Sequence, residues 1–141
     1  MNQTFEHPLT VSPDDIDSLK HVNNVVYLRW LLEAVDAHCL HLGYTIPAWA
    51  AAGAAFVVRR HALEYLAPAY EGEQLVVRTW LSTLDARTSM RQYDLYRPSD
   101  QKVLLKAHTL AVYIDLKTGI PKRIPEDIDS AFRRYLHLPA A

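Results

Sequence analysis

The sequence predicts an α+β domain in which one antiparallel sheet of about five strands curls around a single long central helix. Three observations carry that prediction. Residues 24–42, NVVYLRWLLEAVDAHCLHL, contain no Gly or Pro and are apolar on most sides. Four later segments are rich in β-branched and aromatic residues. The pieces between those segments are short and turn-like, which favours antiparallel neighbours, since a parallel pair needs a crossover of about a dozen residues or more. At 141 residues the chain fits one domain, 1–141, able to bury on the order of 70% of its unfolded surface.

The helix has clear ends. Asn23 or Asn24 suits the N-cap, because a short side-chain oxygen can accept from the first free N–H groups. Gly43 suits the position just past the end. Arg29, Glu33 and Asp36 fall four and three apart, one narrow polar stripe with an ion pair expected between Arg29 and Glu33. So broad an apolar surface around that stripe predicts a helix wrapped by other structure. The expected strands are 54–66, 74–84, 88–97 and 103–116, with PLTV before the helix as a further one. PEDIDSAFRRYL, 125–136, reads as a short terminal helix with Pro125 in its first turn.

Composition narrows the function. Half the residues are hydrophobic, 22% are charged, and the formal net charge is −1, so no basic field favours nucleic acid. A lone cysteine, Cys39, excludes an intrachain disulfide and fits a reducing compartment. The start, MNQTFEHPLT, lacks the basic and apolar regions of a secretory signal. No run of about 20 uncharged apolar residues predicts a membrane span. A cytoplasmic protein is expected.

The chemistry concentrates just before the helix, in DIDSLKHVNN (15–24). The pattern D-x-x-x-H-V-N-N-V-x-Y-L-R-W-L-L-E, Asp17 to Glu33, resembles the active-site segment of the hotdog-fold thioesterases. Within them it is similar to the 4-hydroxybenzoyl-CoA thioesterase-like acyl-CoA group and to the plant acyl-ACP thioesterases with their HVNN motif. AVYIDLKTGIPKRIP (111–125) and EYLAPAYEGEQLVV (64–77) are similar to strand passages of the same family. The resemblance implies a hotdog fold, a homodimer or homotetramer with its active site between subunits, and an acyl-CoA or acyl-ACP substrate. It implies no cofactor beyond the coenzyme A of the substrate. It places the catalytic carboxylate at Asp17 with His21 assisting, and the substrate against Asn23, Asn24, Val25 and Tyr27. Two positions depart from the pattern: Leu19 replaces an asparagine of the plant enzymes, and Lys20 replaces a frequent glycine.

Elementary chemistry agrees with such a site. A thioester needs an attacking oxygen and donors for the developing oxyanion. Its thiolate leaves readily, with a parent pKa of about 8.5. One carboxylate can serve as base or nucleophile, and the N–H groups of residues 24–26 at a helix start can serve the oxyanion. Each residue also has a plainer role open to it: Asp17 in a turn, Asn23 and Asn24 as caps, His21 on a backbone carbonyl, Tyr27 in the core. Asp14 and Asp15 lack the spacing to His21 and are expected to be dispensable. Glu33 and Glu64 are reserve carboxylates. His38, Cys39 and His41 are metal-ligand types without a completing pair, which argues against zinc. Arg59 and Arg60, alternating across a strand, would not form a single-face phosphate clamp. Arg87, Lys122 and Arg123 are candidate contacts for CoA phosphates. Two rival functions stay open, a non-catalytic acyl-thioester binding module and a hotdog hydratase or dehydratase. The hydratase pattern has one more residue between Asp and His.

Overall fold

The computed structural model describes residues 2–139. Its strands are β1 (Phe5–Thr10), β2 (Ala54–Tyr65), β3 (Gln74–Leu84), β4 (Thr88–Arg97) and β5 (Lys102–Asp115). Its helices are α1 (Asn24–His41), α2 (Ile46–Ala52) and α3 (Glu126–Arg133). The five strands form one antiparallel sheet in the order β1-β3-β4-β5-β2. No helix among the described residues is long and apolar enough to cross a membrane.

The expected single long helix and five-stranded sheet are both present, with two differences. The first is sheet order. Although β2 and β3 are joined by the short piece 66–73, β2 pairs with β5 and forms an edge, while β3 sits between β1 and β4. Leu66 and Ala67 donate backbone bonds to the Leu104 carbonyl, and Val11 donates to that of Glu73, so the connection crosses the sheet end held at both sides. The second is α2, a short helix in addition to the expected long and terminal ones. Thr45 caps it, Pro47 lies in its first turn, and Gly53 ends it at φ +71°, a left-handed conformation open to glycine.

Helix α1 lies across one face of the sheet. Val26, Tyr27, Trp30, Leu31, Ala34 and His38 form its buried stripe. The five apolar ones pack with Val77, Tyr93, Leu95, Leu104 and Leu105 of the strands, and His38 lies against Phe5 and Tyr135. A second cluster joins Ile128 and Phe132 of α3 to Leu81, Leu84 and Tyr113. One side of α1 stays uncovered by this chain. Val25, Leu32 and Leu40 are exposed, because the sheet covers the helix from one side only. On the neighbouring edge strand, Val57, Val58 and Tyr65 are exposed too.

Candidate active site

Between β1 and α1 the chain makes a 3-10 turn, Pro13–Asp15, and then a miniature hairpin. Ser12 caps the turn, and the Asp15 carboxylate accepts from its N–H at 2.9 Å. Ile16 and Val22 pair as an antiparallel bridge, which leaves residues 17–21 as the hairpin loop. Across its neck the Asp17 N–H donates to the His21 carbonyl at 2.9 Å, and the Lys20 N–H donates to the Asp17 carbonyl at 3.1 Å. Lys20 sits at φ +66°. Lysine therefore keeps the turn that a glycine would make without strain, at a cost of about 1–2 kcal/mol.

The Asp17 carboxylate is half-buried. Its Oδ1 accepts from the Leu19 N–H at 2.8 Å, closing an Asx turn, and its Oδ2 has no protein partner among the described residues. No hydrogen bond joins this carboxylate to the His21 ring among the described residues. That ring is exposed and packs edge-on to Tyr70, centroids 5.5 Å apart. Asp17 and His21 are thus joined through their backbones. The side chain of Leu19, which replaces the plant-type asparagine, points to solvent at 74% exposure.

The start of α1 is directly beyond. Asn23 is the N-cap: its side chain accepts from the Val25 N–H at 3.0 Å and its carbonyl from the Val26 N–H at 2.9 Å. Of the three N–H groups expected to face an oxyanion, this leaves Asn24 as the one without a protein partner among the described residues. Tyr65 of β2 donates to the Asn24 carbonyl at 3.2 Å. Val25 is exposed, whereas Tyr27 is buried in the core. The Tyr27 hydroxyl accepts from the Ala69 N–H at 3.1 Å and ties the 66–73 connection to the helix; burial pushes its phenol pKa up.

The neighbouring acids are not equivalent, and the expectation for Asp15 needs correction. Asp14 is exposed, but Asp15 is 4% exposed and 2.6 Å from the Arg29 guanidinium. It locks the loop to α1. Arg29 also reaches Glu33 at 3.3 Å, as its spacing implied. The alternation argued for Arg59 and Arg60 fails as well. A bulge between Val58 and Arg60 leaves Arg59 without a partner on β5, and both side chains are exposed. Glu64 is exposed on β2.

At the far end of α1 lies a cavity of about 430 Å³. Leu32, Val35 and Leu40 of α1, Trp49 of α2 and Phe56 of β2 give it apolar walls. Ser89, Arg91 and Thr109 give it a polar floor. Asp17, His21, Asn23, Asn24, Val25 and Tyr27 do not line it. At about 1.5 Å per residue, the α1 residues that line it, from Leu32 to Leu40, lie roughly 12 to 24 Å along the helix from Asn24.

Arg91 was not singled out in the sequence, although the alternation of β4 holds the signal. Ser89, Tyr93 and Leu95 share its buried face. It is 7% exposed, and its Nη1 donates to His38 Nδ1 at 3.0 Å and to Thr79 Oγ1 at 3.1 Å. Burial, then the Arg91 charge, depress the His38 pKa to about 3. His38 is therefore neutral, accepting at Nδ1, with its proton on Nε2. That nitrogen is buried without a partner.

Comparison with known proteins gives a consistent picture. The chain is 26% identical over 136 residues to the Arabidopsis thaliana chloroplastic acyl-acyl carrier protein thioesterase ATL3, covering 96% of this chain and 71% of that one. It is 27% identical over 135 residues to the Escherichia coli acyl-CoA thioester hydrolase YbgC, covering 95% of this chain and all of the relative. Among solved structures, a 1,4-dihydroxy-2-naphthoyl-CoA thioesterase from Synechocystis superposes with a TM-score of 0.86 at 20% identity, over 93% of this chain and 96% of that one. The Staphylococcus aureus protein SAV2348, solved in complex with CoA, superposes with a TM-score of 0.90 at 17% identity, over 100% of this chain and 89% of that one. The fold is the hotdog fold of thioesterases. A family model described as the Thioesterase-like superfamily matches residues 11–132, and the chain belongs to that superfamily.

Proposed function

We propose that the protein hydrolyses an acyl thioester, carried by coenzyme A or by acyl carrier protein, with Asp17 as the reacting carboxylate. One observation carries this reading: the open Oδ2 of Asp17 stands one hairpin ahead of a helix start whose Asn24 N–H is unpartnered among the described residues. As base, Asp17 takes a proton from water while the water oxygen attacks the thioester carbon. As nucleophile, it forms a mixed anhydride that water then opens. In both routes the C–S bond breaks, the thiolate leaves and takes up a proton, and a carboxylic acid remains. The Asn24 N–H and the positive end of α1 stabilise the oxyanion. His21 assists from the exposed rim by orienting water or substrate. Asn23 fixes the helix start, Asn24 and Val25 meet the substrate, and Tyr27 supports them from beneath.

The distance between Asp17 and the cavity points to a second copy. Edge strand β2 offers unpaired backbone groups beside exposed Val57 and Val58, a surface that single soluble chains avoid. Antiparallel pairing of two β2 edges in one continuous sheet has its two-fold axis normal to the sheet. The two α1 helices then lie side by side and antiparallel, so the helix start of one chain meets the cavity end of the other. A homodimer of this kind, alone or paired into a tetramer, brings Asp17 of one copy to the apolar pocket of its partner.

Arg87, Lys122 and Arg123 are separate in sequence, but backbone bonds gather their segments: Lys122 donates to Tyr113, Tyr113 to Arg87, and Ile124 to Ala86. This exposed cationic rim is assigned to the CoA phosphates. The deciding test is thiol release from short, long and aromatic acyl-CoAs and from acyl carrier protein thioesters. Turnover of one class is expected. Saturable binding with no thiol released from any would make the protein a non-catalytic thioester-binding module.

A further inference from the structure

The cavity at the far end of α1 has an unusual floor for an acyl pocket. Arg91 and Thr109 are directly paired across β4 and β5, and Ser89 stands two residues along. Arg91 is buried, yet no carboxylate lies within ion-pair distance of it among the described residues. Its two protein acceptors, His38 Nδ1 and Thr79 Oγ1, are neutral and both use Nη1. Nε and Nη2 make no hydrogen bond among the described residues. They are not among the fully enclosed unpartnered atoms, of which His38 Nε2 is the example, and Arg91 lines the cavity. The nearest acid on the cavity wall is Asp36, exposed on α1 and not bonded to Arg91.

A buried guanidinium with no counter-charge is costly. Its planar fork matches a carboxylate with two parallel bonds. The apolar walls above it suit a hydrocarbon chain, and about 430 Å³ holds roughly a dozen water-sized groups at about 30 Å³ each. We propose that this pocket takes an acyl chain ending in a carboxylate, so that the substrate class is the half-thioester of a dicarboxylic acid, with Arg91 reading the distal carboxylate. This rests on the thioesterase reading for its chemistry, but not for its binding.

The test uses the full-length protein and a matched pair, suberoyl-CoA and octanoyl-CoA, which differ only in the distal group. The expected kcat/KM favours suberoyl-CoA by about tenfold or more, the scale of a charge-assisted hydrogen bond. In Arg91→Met that ratio falls to one or below. Equal or better use of octanoyl-CoA by the parent protein overturns the inference and leaves the thioesterase reading standing. If no thioester is hydrolysed, the free acids decide. Suberate raising the melting temperature of the parent more than octanoate, and not that of Arg91→Met, keeps the inference while the thioesterase reading fails. No suberate-specific shift overturns it. Should Arg91→Met fail to fold, the two comparisons on the parent protein still decide.

Discussion

Acid should destabilise this fold earlier than its carboxylates can explain, and His38 is the reason. Unfolded, its imidazole titrates near the ordinary 6.5; folded, burial and the Arg91 charge hold it near 3. Between those values the unfolded chain binds a proton that the native protein refuses, so stability falls as pH falls. The penalty is absent above pH 6.5, grows below it, and saturates near pH 3. Each pH unit inside that window is worth about 1.4 kcal/mol, so lowering the pH from above 7 to 5 removes about 2 kcal/mol. His61, whose pKa is also lowered by burial, adds in the same direction. Asp100 and Asp115 have carboxyl groups held below their usual range, and their contributions are lost only at still lower pH. Urea unfolding at pH 7.5 and pH 5.0 gives the slope, and His38→Leu removes the titrating group. The variant should show a pH dependence smaller by about 2 kcal/mol over that interval. An equal dependence in the parent and His38→Leu would refute the neutral, Arg91-facing imidazole.

Three further outcomes follow from the loop and the rim. Arg29→Met leaves the buried Asp15 carboxylate with only the Ser12 N–H and should cost about 1.5–3 kcal/mol of unfolding free energy, read by urea denaturation. Asn23→Ala removes the α1 cap and should cost about 1 kcal/mol by the same assay. Arg87→Ala combined with Lys122→Ala should raise KM for an acyl-CoA several-fold while leaving KM for the matching acyl-pantetheine unchanged. Parallel increases for both substrates would remove the rim from phosphate binding.

Much of this architecture was legible in the residues. Strands β3 and β4 lie where their aromatic and β-branched runs begin and end, and α1 stops one residue before Leu42, with Gly43 in the left-handed conformation at φ +91°. These are local signals, set by side-chain type and by the chain's own punctuation. The place of β2 at the sheet edge was not legible, because connection length says only which neighbours are reachable. Helix α2 escaped because IPAWAAA is too short for periodicity to speak; its signals were Thr45, Pro47 and Gly53. At the site, the family resemblance from Asp17 to Asn24 picked out the segment before α1, and its hairpin shape came only with the structure. Which of Asp14, Asp15 and Asp17 is buried depends on Arg29, fourteen residues beyond Asp15, and sequence spacing alone does not supply that contact. Arg91 was within reach: once Tyr93 and Leu95 face the core, the period of two puts a charge inside.

The most direct test of the thioesterase account is thiol release by Asp17→Asn, compared with the parent on its best thioester. The amide keeps the shape and the Asx turn to Leu19 but removes the base or nucleophile. Native circular dichroism, an unchanged oligomer by light scattering and retained acyl-CoA binding are expected, with kcat lowered about 10²–10⁴-fold or more. Hydrolysis by Asp17→Asn as fast as by the parent would contradict the account and shift the carboxylate to Glu33 or Glu64.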